Sequence, residues 1–177
     1  TSIFCKLMER VTSYELADHL MQHCLLSRKQ HGFIKGRSTL TNLIESVSDW
    51  SLVLDNKRIG SVIYSDFARA FDTVSHPKLL LKLQAYGITG NLLKFVADFL
   101  DNRSQQTRVG RSLSDAKHLM SGVVQGSCLG PLLFLLYVND VLNIFDTAVE
   151  AKMYADDIKL YSCIETITDE FRLQHNL

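Results

Sequence analysis

Three aspartates stand where carboxylates are costly or conspicuous. The stretch "AKMYADDIKLYSC" (151–163) places Asp156 and Asp157 between two alternating runs, Met153 and Ala155 before, Ile158 and Leu160 after. Period-two alternation predicts two strands joined at an acidic hairpin tip. An Asp at a turn bonds its own backbone, so on this stretch alone an ordinary turn and a chemical site stand about level. In "IYSDFARAFDTVSH" (63–76), Asp66 ends a β-branched, aromatic strand, "SVIYSDF" (61–67), and a carboxylate there needs a partner. Three converging carboxylates repel one another unless a divalent cation neutralises them. Hard oxygen donors without His or Cys favour Mg²⁺ or Mn²⁺, and a pair of such ions about 3.5–4 Å apart serves in-line phosphoryl transfer. The alternative is that Asp66 caps the following helix and Asp72 pairs with Arg69 or Lys78. Adjacent strand residues point to opposite faces, so Asp66 and Asp156 are expected as primary ligands with Asp157 in support.

Two further stretches have binding chemistry. "SGVVQGSCLGPLLFLLYVNDV" (121–141) spaces Gly122, Gly126 and Gly130 four apart and adds Gln125 and Ser127 ahead of an apolar run. The glycines allow close backbone approach, and a helix start beside them attracts phosphate, although such turns are frequent. "SRKQHGFIKGRST" (27–39) carries Arg28, Lys29, Lys35 and Arg37 with no acidic residue, and reads as a basic loop or hairpin.

The elements that must position these residues follow from periodicity. Phe4, Leu7, Met8, Val11 and Tyr14, then Leu16, Leu20 and Met21, predict a helix over 3–23, with a possible break. Leu40, Leu43, Ile44, Val47, Trp50 and Leu54 predict a second, opened by Ser/Thr caps. Residues 76–100 read as two helices parted at "YGITG", and "SQQTRVGRSLSDAKHLMSGV" (104–123) as a hairpin around Gly110. Pro131 opens an apolar helix expected to run to about Phe145. The order predicts an α+β domain, a mostly antiparallel sheet under helices.

A chain of 177 residues that is 46% hydrophobic can bury a core. Its formal charge is zero, but residues 1–118 hold 16 Lys/Arg against 11 Asp/Glu and residues 119–177 hold 3 against 8. That modest split suits a polyanion held against a metal-binding centre and is equally ordinary surface variation. Cys5, Cys24, Cys128 and Cys163 have no CxxC spacing, so neither zinc nor a disulfide framework is signalled and a reducing, intracellular setting is expected. "LGPLLFLLYV" (129–138) is far shorter than the roughly 20 residues of a membrane span, so no membrane partner is expected. The opening residue is Thr, with a helical pattern running from Ile3, which suggests a start inside a longer protein.

"HGFIKGRST", "YSDFARAFDTVSH", "GVVQGSCLGPLLFLLYVND" and "MYADDIKLY" resemble, in order and spacing, the reverse transcriptase domain of non-LTR (LINE-type) retrotransposons of the jockey kind. "SIFCKLMERV" and "LLLKLQAYGITGNLLKFVADFLDNRSQQTRV" extend the resemblance over nearly the whole chain. It implies a right-hand polymerase palm with partial fingers, 1–60 being fingers-like and 61–177 mostly palm, and a small antiparallel sheet against helices. It implies RNA-directed DNA synthesis with two Mg²⁺, an RNA template, a DNA primer or target DNA, and deoxynucleoside triphosphates, in nucleus or cytoplasm. Asp66, Asp156 and Asp157 would hold the ions, with the Phe67 carbonyl completing one shell. Phe71 would exclude a 2′-hydroxyl, Gln125 and Gly126 would border the new base pair, and Lys35 and Arg37 would steady phosphates. Tyr154 would lie against the primer end, and Ala155 would line the nucleotide site. Ile34 stands where the family usually has Arg, and Val124 where it usually has Pro. The thumb and endonuclease expected of the whole polyprotein are not represented, so a fragment is expected. The competing expectation is an inactive relic that keeps the palm fold or nucleic-acid binding only.

Overall fold

The structure is a computed structural model and describes residues 3–175; the chain ends at Thr1 and Leu177 lie outside the described residues. Among the described residues two compact units are formed, one from 3–25 with 69–137, the other from 26–68 with 138–175.

The second unit carries the acidic elements. Helix α2 (Thr39–Asp55) starts from a capping box: Ser38 Oγ accepts from Thr41 N, and Thr41 Oγ1 accepts from Ser38 N. Strands β1 (Ile59–Ser65), β6 (Glu150–Tyr154) and β7 (Asp157–Ile164) form an antiparallel sheet in the order β1-β7-β6. The pairs Tyr64–Lys159 and Lys152–Lys159 fix the register. One sheet face therefore carries Tyr64, Lys152, Tyr154, Asp157, Lys159 and Tyr161, and the other the buried Ala151, Met153, Ile158 and Leu160.

Helix α2 covers the polar face, which explains an inversion of its amphipathic pattern. Leu40, Leu43, Ile44, Val47 and Leu54, the residues that predict this helix, are exposed, whereas Asn42 and Ser46 are buried. Lys159 Nζ donates to Asn42 Oδ1 (3.2 Å) and Ser46 Oγ (2.9 Å), and Lys152 Nζ lies 2.8 Å from Glu45 and 3.4 Å from Asp49. Tyr161 donates to Asp49. Burial alone would lower the Lys152 amine; its bond to Glu45 and the Asp49 charge outweigh that and raise it. Lys159 has no such carboxylate, and burial, then Lys152, lowers it.

In the first unit, α1 (Ile3–Gln22) is unbroken, but Phe4, Leu7, Met8, Val11 and Tyr14 face outward. Leu16 and Leu20 are buried instead, together with Glu9, whose carboxylate accepts from Cys128 N (2.7 Å). Helices α3 (His76–Ala85) and α4 (Gly90–Leu100) part at Gly87 as expected. The hairpin is two short ladders, β2 with β5 (Ser104–Gln105, Lys117–His118) and β3 with β4 (Arg108–Val109, Ser112–Leu113). Between them Ser114 Oγ accepts from Thr107 N, breaking the regular pairing.

Helix α5 (Gly130–Val138) ends earlier than expected, and a 3-10 turn (Val141–Ile144) follows. Just past its end Asn139 Oδ1 accepts from Ser27 N (2.8 Å), a contact made across 112 residues that holds this residue to the basic loop. The last helix, α6, spans Ile167–His175.

Buried His31 donates to or accepts from Thr41 Oγ1 through Nδ1 (2.9 Å), and its Nε2 lies 3.4 Å from Glu45 Oε2. Burial lowers its pKa from the usual 6.5 despite Glu45. A base whose pKa is depressed on folding leaves the unfolded chain to take up the proton first, so stability falls as the pH drops below about 6.5. Urea midpoints between about pH 7.5 and 5.5 should fall for the native sequence, with the slope reduced in His31→Gln.

Candidate active site

The β1–β7 register, continued one residue beyond the Ser65–Ile158 pair, sets Asp66 opposite Asp157. Both line a cavity of about 460 Å³ with Tyr154, Tyr64, Lys152 and Lys159 of the sheet and Thr39 and Asn42 at the start of α2. Asp66 and Asp157 are exposed, so neither carboxylate is desolvated. Asp156, half-buried in the turn, is not among the residues lining that cavity. Asp157 opens β7 whereas Asp156 belongs to the turn before it, so these neighbours are not held on one face.

The donors suit a hard divalent cation in kind, being carboxylates without His or Cys. They are not gathered around one point: among the described residues no group of three or more His, Cys, Asp or Glu is arranged to hold a metal ion. Phe67 is partly exposed beside Asp66.

The turn that carries the acidic pair is a two-residue loop, Ala155 and Asp156, between the paired Tyr154 and Asp157. Ala155 has φ +57, whereas Asp156 has no positive φ. Positive φ at only the first loop residue is the pattern of a type II′ hairpin, where Gly is usual. An alanine held there costs about 1–2 kcal/mol unless its surroundings compensate.

The basic loop lies along the same hairpin. His31 N donates to Met153 O and Met153 N to Lys29 O, both at 2.9 Å. Arg37 is consumed in shaping this loop: its Nη1 donates to the carbonyls of Ser27 (3.1 Å), Arg28 (2.7 Å) and Gln30. Ile34, where an Arg was expected by resemblance, is buried, which makes it a packing residue in this chain. Lys35 is exposed.

Phe71, Gln125 and Gly126 belong to the first unit. The Phe71 ring stacks on Phe134 with centroids 4.2 Å apart. Segment 121–125 docks on segment 71–76: Gly122 N donates to Val74 O (2.8 Å), Val123 N to Phe71 O (2.9 Å) and Ser121 Oγ to Asp72 O (2.8 Å). A Cβ at Gly122, whose φ is +92, would come within 2.9 Å of the Asp72 backbone, so this contact needs glycine. Gln125 Nε2 donates to Asp72 Oδ1 (2.9 Å), a partner for Asp72 other than the Arg69 or Lys78 considered from sequence. Gly126 is exposed. The docked segments border a cavity of about 690 Å³ with Arg69, Arg103 and His118 on its wall. Lys152, Lys159 and Asn42, and the true partner of Asp72, are not marked by any local spacing, because these contacts join residues 53 or more apart in the chain.

With this geometry, comparison with known proteins becomes decisive. The family described as "Reverse transcriptase (RNA-dependent DNA polymerase)" matches residues 1–175. The chain belongs to the reverse transcriptase family. It is 30% identical over 171 residues to a probable RNA-directed DNA polymerase from transposon BS of Drosophila melanogaster, covering 90% of this chain and 18% of that protein. It is also 30% identical over 149 residues to the RNA-directed DNA polymerase from mobile element jockey of Drosophila funebris, covering 79% of this chain and 16% of that protein. Among solved structures, a telomerase from Candida albicans in complex with a TWJ fragment of telomeric RNA superposes with TM-score 0.61 at 16% identity, over 97% of this chain and 32% of that one. The expected partial palm, a small antiparallel sheet with helices, is thus the fold of this reverse transcriptase segment. The chain spans under a fifth of the length of these two curated relatives. The family generally uses divalent metals, and no helix among the described residues is long and apolar enough to cross a membrane.

Because Arg37 satisfies three loop carbonyls, Arg37→Ala should release the loop before the sheet. Charged hydrogen bonds of this kind are worth about 1.5–3 kcal/mol. Limited proteolysis should therefore cut within 27–37 several-fold faster, with a lower urea midpoint.

Proposed function

We propose that this chain is the catalytic segment of an RNA-directed DNA polymerase of a non-LTR retrotransposon, extending a DNA primer on an RNA template with deoxynucleoside triphosphates. The observation that carries the reading is that Asp66 and Asp157 line one cavity at the end of the β1–β7 ladder, in a member of the reverse transcriptase family.

In this reading Asp66, Asp156 and Asp157 would hold two Mg²⁺, with Mn²⁺ as a substitute and the Phe67 carbonyl as a further donor. When bound, such ions would neutralise the phosphates and favour attack of the primer 3′-hydroxyl on the α-phosphate, with the bond to the β-phosphate breaking and pyrophosphate leaving. Tyr154, on the cavity wall, meets the primer end, and Ala155 holds the floor of the nucleotide site. Lys35 steadies phosphates, since its ammonium is exposed while Arg37 is occupied by its own loop. Phe71 rejects ribonucleotides by filling the space of a 2′-hydroxyl, its ring held by the stack on Phe134. Gln125, oriented by Asp72, and Gly126 border the new base pair. Residues 1–60 serve as fingers and 61–177 mostly as palm. An intracellular setting, nucleus or cytoplasm, goes with these partners.

The test is magnesium-dependent extension of a DNA primer on an RNA template by the purified chain. Deoxynucleotide incorporation is expected, with a loss of more than a hundredfold in Asp156→Ala and a gain of ribonucleotide incorporation in Phe71→Ala. Incorporation that survives Asp156→Ala contradicts the assignment; no product from the native sequence contradicts activity in this chain and favours an inactive relic.

A further inference from the structure

Gln30 makes three hydrogen bonds with its side chain, and all of them serve the acidic turn or the loop beside it. Its Nε2 donates to Ala155 O (3.1 Å), and its Oε1 accepts from Ala155 N (2.8 Å) and from Gly32 N (2.7 Å). The residue is buried, with about 4% of its surface exposed. Two N–H groups face the oxygen and one carbonyl faces the nitrogen, so the amide has a single workable orientation.

The side chain thus acts as an extra rung beyond the end of the β6–β7 ladder, engaging both backbone polar groups of Ala155. That residue is the one with the left-handed backbone, φ +57, and its conformation sets the direction in which the next residue, Asp156, leaves the turn. The approach is so close that a Cβ on Gly32 would come within 2.4 Å of Ala155 N. Glycine at 32 is therefore required for the loop to seat on the turn, and Gln30 supplies the bonds that join the two. A non-glycine residue held at positive φ persists only where its surroundings over-determine it, and here the surroundings are Gln30 and its loop.

We infer that Gln30 is a positioning residue for the polymerase reaction: by clamping Ala155 it fixes the turn that presents Asp156 and Asp157, and it ties that turn to the loop bearing Lys35. The catalytic part of this inference rests on the polymerase reading; the clamp itself does not. Gln30 acts through the turn and touches no substrate.

Two variants separate the possibilities. Gln30→Met keeps length and volume and removes all three bonds; Gln30→Glu keeps an acceptor for Ala155 N and removes the donor to Ala155 O. Hydrogen exchange of the Ala155 amide should accelerate roughly tenfold in Gln30→Met, the equivalent of one hydrogen bond, and less in Gln30→Glu. In primer extension kcat should fall at least tenfold in Gln30→Met while KM for the deoxynucleotide changes by less than about twofold, the signature of misplaced groups and not of lost binding. An unchanged Ala155 exchange rate overturns the clamp, and faster exchange with unchanged kcat overturns the positioning role. If Gln30→Met does not fold, the same two readouts on Gln30→Glu decide. If the native sequence extends no primer, the polymerase reading fails, and exchange at Ala155 still decides the clamp.

Discussion

The structure of the site-bearing unit depends on how its polar sheet face is buried. Strand alternation puts Asp157, Lys159 and Tyr161 on one side of β7, so any element that covers Tyr161 must also meet lysines a few residues from the acidic turn. An apolar helix face there would strand buried ammonium groups, each at a cost of several kcal/mol. Helix α2 instead turns Asn42, Ser46, Glu45 and Asp49 to the sheet and leaves its leucines outside. Lys152, with only 12% of its side chain exposed, remains charged between two carboxylates.

This polar interface and the loop clamp work on the same hairpin from different elements. Helix α2 holds the strands by side-chain pairs, and its Asn42 also donates to Met153 O (3.2 Å). The loop before it holds the other end by backbone pairing at Met153 and by Gln30 at Ala155. Residues 29–49 therefore support β6 and its turn along their length, which is what a rigid pair of carboxylates at a hairpin tip requires. Asp66 and Asp157, both exposed, line the cavity beside it.

Much of this was legible in the sequence, and the failures share a cause. Asp66 just after a strand and an acidic hairpin follow from period-two alternation, although the turn falls at Ala155–Asp156, one residue earlier than the acidic pair, and the four ordered motifs pointed to the family that the comparisons then established. Helices α1 and α2 were legible as helices, because 3.6-residue spacing survives whichever side is buried. Their buried sides were not: the inward faces are chosen by Glu9 meeting Cys128 N and by Asn42 and Ser46 meeting Lys159, contacts made across more than a hundred residues. Arg37 looked like a free cation because composition cannot show that three carbonyls of its own loop would claim it. Helix α5 ran too long in the sequence reading, and the Ser27–Asn139 contact just past its end is likewise non-local.

The central claim is that Asp66 and the turn carboxylates act on one divalent-ion site at the sheet's open end. Electron paramagnetic resonance titration with Mn²⁺ tests it directly, comparing the native sequence with Asp66→Asn, just after β1, and Asp156→Asn, in the β6–β7 turn, at exposed and half-buried positions respectively. The account predicts saturable Mn²⁺ binding, displaced by Mg²⁺, that weakens at least tenfold in each variant while thermal unfolding stays cooperative. Equal affinity in the native sequence and Asp66→Asn, or no saturable binding at all, would contradict it.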